Sequence, residues 1–242
     1  MDNSIITSRD NVRVKETRKL LQKKYRDRTG SYLIEGFHLL EEAVKSGAEI
    51  RRVFVEEGRQ NRVRGLAHWN IVTADVLKSL SDTEKPQGVV AEVVKADTAS
   101  VNLNKKILIL ENVQDPGNVG TLIRTADAAG FDGVICVGES ADIYSPKVLR
   151  SAQGSTFHIP VTIETDKIYD NVENLLVSTL SENSVDYRTV KLNHFALVLG
   201  NEGAGVSEHA VESAGQLIHI PMPGQAESLN VAVAGGILMF GL

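Results

Sequence analysis

The chain has 242 residues, 42% hydrophobic and 24% charged. That balance excludes disorder, low complexity and collagen-like repeats, and it suits one large domain or two modest ones. Apolar runs such as those at 107–110 and 237–240 fall far short of the ~20 residues that span a bilayer, and Met1 opens onto a polar stretch without the apolar core of a signal peptide. One cysteine, Cys136, allows no internal disulfide and no multi-cysteine zinc site, so a cytoplasmic protein is expected. The net charge of −5 hides an asymmetry. Residues 1–100 carry 18 Lys and Arg against 15 Asp and Glu, and residues 101–242 carry 8 against 16. Nine of the cations crowd into residues 9–28, the pattern of a nucleic-acid contact or of a solvated helix face.

In chain order, residues 9–24 suit a basic helix with Val12, Val14, Leu20 and Leu21 as its apolar positions. A short strand follows at 32–34, then a helix at 36–46 with Leu39, Leu40, Ala43 and Val44 on one face and Gly47 as its stop. Residues 52–55, 71–73 and 89–94 read as strands, with short helices at 63–68 and 74–80. The small, polar stretch 96–104 marks a boundary, giving domains 1–96 and 105–242 joined by a linker at 97–104.

The second half alternates. Strands are predicted at 106–110, 133–137, 157–161, 195–199 and 217–220, and helices at 121–129, 146–152, 169–180 and 229–240. Such alternation predicts an α/β fold with a mostly parallel sheet covered on both faces. Ligands of these sheets lie outside the carboxyl ends of the strands. Three long loops leave strands there, at 111–120, 200–206 and 221–228, and the site is expected among them.

No P-loop, no GxGxxG after a strand, no HExxH and no GxSxG occurs. The six histidines show no metal-ligand spacing, so no metal is expected. Cys136 and Trp69 read as packing residues. What remains is three polar loops rich in glycine and proline. The first, NVQDPGNVG, runs into TLIRTA, where the predicted helix start offers free N–H groups to an anion and places Arg124 in its first turn. A cation is disfavoured there by the helix dipole, so a ligand is the expected reason for it. The second, GNEGAG, ends the strand at 195–199. The third, IPMPGQAESLN, places Ser228 as a helix cap and Asn230 in the first helical turn.

In this order, NxxDPGNxGxxxRTA, LGNEGxG and IPMxGxxxSLNVxxA resemble the three signature motifs of the SpoU (TrmH-like) branch of the SPOUT RNA methyltransferases. The resemblance spans about 120 residues, from Ile107 towards the C-terminus. A shorter match, YLIEGFHLLEE with QGVV, makes the first half resemble the family's L30e-like substrate-binding domain. The resemblance implies an α/β knot, S-adenosylmethionine as cofactor and a ribose 2′-hydroxyl of structured RNA as methyl acceptor. Ribosomal RNA, 23S in particular, is favoured over transfer RNA by the two-domain layout. It implies a cofactor held around Leu199, Gly200, Ile220, Met222 and Leu229, and a polar catalytic set of Asn118, Arg124, Glu202, Ser228 and Asn230. A guanidinium is always protonated, so Arg124 is assigned to grip phosphate and steady a developing alkoxide rather than to act as base. A homodimer through the knotted domain is also implied, with less apolar surface than in family members whose last helix runs further. The rival reading, a non-catalytic RNA-binding module with a decayed knot, sits poorly with a complete polar set.

Overall fold

The computed structural model describes residues 4–96 and 101–242, so 97–100 of the expected linker lie outside the described residues. The chain forms two compact units, Met1–Asp97 with Tyr144–Phe157, and Thr98–Ile143 with His158–Leu242.

The basic segment that opens the first unit is not one helix. α1 (Val12–Arg18) passes through a tight turn at Lys19–Leu21 and restarts as α2 (Lys23–Thr29). Gln22 between them is extended. The cause is tertiary. Leu20 joins Val14, Leu33 and Phe54 in the core, and buried Arg26 donates from Nη1 to the Leu20 and Leu21 carbonyls at 2.8 and 2.9 Å. Those carbonyls lose their helical partners at the break, and Arg26 supplies the donors instead.

β1 (Ser31–Glu35), α3 (Phe37–Lys45), β2 (Ile50–Glu56), β3 (Trp69–Val72), α4 (Ala74–Ser79) and β4 (Val89–Val94) complete the N-terminal part. The sheet order is β1-β4-β2-β3, with β2-β3 parallel and the other pairs antiparallel. Residues 63–68 are turns rather than the expected helix.

β5 (Lys106–Glu111), α5 (Pro116–Ala128) and β6 (Gly133–Val137) open the second unit. The chain then returns to the first. There α6 (Pro146–Ala152) buries Leu149 against the core of Tyr32, Leu39 and Leu40. The Tyr144 ring lies 4.8 Å from that of Tyr32, and Arg150 pairs with Asp82. A domain division drawn from composition alone cannot contain this excursion. A seven-residue amphipathic helix carries no mark of which sheet its apolar face will cover.

β7 (Val161–Glu164), β8 (Leu175–Ser178), β9 (Val185–Asp186), β10 (Phe195–Leu199), α7 (Glu208–Glu212), β11 (Gln216–His219) and α8 (Val231–Gly241) follow. The seven strands are all parallel, in the order β7-β6-β5-β10-β8-β11-β9. The expected α/β fold with a parallel sheet is present. Ile107, Leu108, Ile109 and Leu110 are all fully buried, as a parallel strand covered on both faces requires.

Two predicted elements differ. Residues 157–161 are mostly a turn, with the strand starting at Val161. Residues 169–180 are not a helix: a tight turn at Asp166–Asn171 leads to β8. Tyr169 and Leu175 share one core cluster with Val172 packed against it, and the three-residue spacing of these positions imitates a helical stripe.

Candidate active site

β8, β10 and β11 are adjacent and parallel, so their carboxyl ends open on one edge of the sheet. A cleft of about 340 Å³ lies there. All five residues expected to hold a cofactor line it: Leu199, Gly200, Ile220, Met222 and Leu229. Glu202 and Ser228 line it too, together with Ser178, Thr179 and Leu180 at the end of β8. Sequence reasoning misses the last three, because the spacing around them is that of a helix interior. Volume and an apolar lining with few polar groups both suit a small-molecule site.

The loop after β10 is built to stay put. Asn201 and Gly205 exchange backbone hydrogen bonds, each 2.9 Å. Asn201 Oδ1 accepts from the backbone N–H groups of Gly203 and Ala204, and its Nδ2 donates to the Asn112 carbonyl. A Cβ on Gly200 would lie 2.4 Å from the Gly205 backbone, so only glycine closes this turn. Below it, buried Glu111 accepts from Ser207 N at 2.8 Å and Ser207 Oγ at 2.6 Å, fixing where the loop rejoins the fold at α7.

Helix α5 starts earlier than predicted. Asp115 is its N-cap, accepting from Asn118 N at 2.9 Å, and Pro116 takes the first helical position, where no N–H is required. The DPGN run is therefore a helix start, and Asn118 sits in the first turn. Arg124 lies about two turns further in, so the dipole conflict expected there is absent, because that effect fades beyond the first turn. Arg124 is exposed, does not line the cleft, and its side chain makes no hydrogen bond or ion pair with any described residue.

The cap expected at Ser228 falls to Asn230. Asn230 caps α8, its Oδ1 accepting from Ala232 N and Val233 N at 2.9 and 3.3 Å. Ser228 precedes the helix, exposed at the cleft wall. Asn230 Nδ2 donates to Asn118 Oδ1 at 3.3 Å, and Asn118 Nδ2 donates to Glu202 Oε1 at 2.5 Å. One chain of polar side chains thus runs from the α8 cap through the α5 first turn to the tip of the β10 loop. Three segments far apart in sequence meet through Asn118. Among the described residues no group of three His, Cys, Asp or Glu could hold a metal ion. Cys136 is buried, and burial pushes its thiol up to about 12.

A parallel α/β unit with a small-molecule-sized cleft at the carboxyl ends of its strands is joined in one chain to a second α/β unit. The chain belongs to the SpoU rRNA Methylase family, whose model matches residues 105–240. An MRM3-like substrate binding domain matches residues 11–91. The chain is 40% identical to the 23S rRNA (guanosine(2553)-2′-O)-methyltransferase RlmP of Bacillus subtilis, over 98% of each chain. It also matches the AdoMet-bound rRNA methyltransferase of Sinorhizobium meliloti, with a TM-score of 0.88 and 33% identity over 98% of this chain and 96% of that one. The SpoU methyltransferase AviRb of Streptomyces viridochromogenes in complex with AdoMet matches with a TM-score of 0.84 and 28% identity, over 96% of each chain.

Proposed function

We propose that the protein transfers the methyl group of S-adenosylmethionine to a ribose 2′-hydroxyl of 23S ribosomal RNA. The observation that carries this reading is the cleft at the ends of β8, β10 and β11, beside which Asn118 ties together residues from all three motifs. Similarity to RlmP along nearly the whole chain supports the choice of RNA.

The cleft fits the cofactor by its chemistry. Leu199, Ile220, Met222 and Leu229 offer apolar walls for an adenosine, and the closed turn at Gly200 brings backbone groups against it without a side chain between. Ser178 and Thr179 add hydroxyls at the end of β8. When bound, the cofactor supplies a sulfonium-activated methyl, so positioning of the acceptor carries much of the rate. Glu202 and Asn118, already paired, orient the ribose hydroxyl. Asn230 holds Asn118 in place, and Ser228 shapes the facing wall. Arg124, exposed on α5, grips the RNA phosphate and steadies the developing alkoxide. Residues 1–96 supply most of the RNA affinity, because the second half is acidic and repels a polyanion.

The C-terminal segment is read as the threaded part of an α/β knot. In support, the last strand, β11, lies inside the sheet between β8 and β9 rather than at an edge. The protein is read as a homodimer through α8, whose Val233, Ile237 and Phe240 are 53, 37 and 68% exposed at helical spacing. No helix among the described residues is long and apolar enough to cross a membrane, and similarity to a bacterial ribosomal RNA methyltransferase supports reading the protein as cytoplasmic.

The test offers purified protein undermethylated 23S RNA and bulk transfer RNA with methyl-labelled cofactor. Label is expected in 23S RNA at ribose. Label only in transfer RNA would overturn the choice of substrate, and label in neither would support the non-catalytic reading.

A further inference from the structure

Tyr25 on α2 is half-buried, packed with Leu21 at the edge of the core that holds Val14 and Leu20. Three cations surround its ring. Lys24 Nζ lies 4.9 Å from the ring centroid, the Arg28 guanidinium carbon 5.3 Å and Lys19 Nζ 5.9 Å. None of the three has a carboxylate partner among the described residues. Several cations close by do: Lys15 pairs with Asp10, Lys23 with Asp27 and Arg52 with Glu16. Charge left unneutralised by carboxylates is thus gathered on Tyr25. Like charges so close repel, and contact with the π-face offsets only part of that cost.

The ring borders a cleft of about 350 Å³, lined also by Lys19, Arg28, Arg51 and Arg52. The two acids in its lining are already engaged: Glu16 with Arg52 at 3.2 Å, and Glu92 with Arg51 and Arg52, each at 3.9 Å. The platform is held rigidly. Arg26 ties the turn before Tyr25 to α2, and Thr29 Oγ1 donates to the Tyr25 carbonyl at 2.8 Å.

We propose that Tyr25 is a stacking platform for one unpaired nucleotide of the RNA substrate, with Lys19, Lys24 and Arg28 as clamps on its flanking phosphates. The inference rests on the RNA reading above. Phosphate is a stronger partner for an ammonium or guanidinium than an aromatic face is, so incoming RNA draws the three side chains off the ring. The face they vacate is then open to a base. Aromatic stacking on a splayed base, flanked by backbone cations, is how single-stranded RNA segments are held without base-edge readout.

The experiment uses the full-length protein and an unmodified 23S RNA transcript, with binding followed across a salt series. Cofactor binding and melting temperature are measured in parallel. Tyr25→Leu keeps the apolar packing and removes the aromatic face, and it is expected to weaken binding about 5- to 100-fold with the salt slope unchanged. Tyr25→Phe is expected to bind like the parent. Replacing Lys19, Lys24 and Arg28 together by Gln is expected to lower the slope of log affinity against log salt by about 2, near 0.7 for each phosphate no longer neutralised. All variants are expected to bind S-adenosylmethionine normally. Parental RNA affinity for Tyr25→Leu, or an unchanged slope for the triple variant, would overturn the inference and leave the RNA reading standing. If the parent neither binds nor methylates the transcript, the RNA reading fails and this site fails with it.

Discussion

Arg124 and Gly200 carry opposite kinds of information. The Arg124 side chain is exposed and bonded to no other described residue, so its removal leaves the fold and the cleft intact. Arg124→Ala is expected to lower the methyl-transfer rate ~10²–10³-fold, the usual loss for one donor to a developing oxyanion, with cofactor affinity unchanged in calorimetry. A parental rate would remove it from the mechanism. Gly200→Ala should do the reverse. Its new Cβ meets backbone at 2.4 Å, which no side-chain rotation relieves. The loop must open, and cofactor affinity is expected to fall by at least about tenfold, read by the same calorimetry. Cys136 makes a third, simpler case. Its thiol is buried and held protonated, so a thiol reagent should leave the native protein unlabelled and react only after denaturation. Fast labelling of the native protein would contradict its place in β6.

At the level of elements, the sequence is readable where a single physical signal dominates. The runs at 107–110, 134–137 and 195–199 are continuous apolar stretches, and each lies in a strand of the parallel sheet. It misleads where two signals compete. Leu175-Leu176-Val177 is as apolar as those runs, but Tyr169 and Val172 before it complete a helical spacing, and periodicity alone does not separate the two. That competition hides Ser178, Thr179 and Leu180 from the candidate site. The helix starts fail for a related reason. Asp115-Pro116 reads as a loop until the Asp is seen capping and the Pro filling the first position. The polar residues of the three motifs are legible by resemblance, but their hydrogen-bonded order through Asn118 is not. Which side chain faces which depends on helix starts that only the fold fixes.

The short helix α7 offers a pH-dependent test at the same scale. His209 faces Asp166 and Asp170 at 3.2 and 3.3 Å, and hydrogen bonds to these carboxylates raise its pKa above the ordinary value. A raised folded pKa contributes stability that is complete below ~6.5 and is lost as pH rises through the folded value. Urea denaturation of the parent and of His209→Asn should therefore differ most near pH ~5.5 and converge towards pH ~8.5. A gap that widened with pH would exclude the ion pairs as the source.

For the molecule as a whole, ligand linkage is the direct check on the cleft. S-adenosylmethionine at ~100 times its dissociation constant should add about 2.7 kcal/mol to stability, seen as a rise in melting temperature. A rise with NAD or ATP and none with S-adenosylmethionine or its demethylated product would contradict the cofactor assignment. The two units also differ in how they are encoded. The core of the first draws on Leu149, with Tyr144 and Phe157 packed against it, and these are specified after β5, α5 and β6 of the second have been made. A fragment ending at residue 97 should therefore unfold with little cooperativity, whereas the full chain should not. On the ribosome, the N-terminal sheet has to wait while about 60 further residues are polymerised, about 3–12 s at ordinary elongation rates. During that interval Tyr32, Leu39 and Leu40 lack their final cover, so the nascent chain passes through a window in which its oldest part is its least protected.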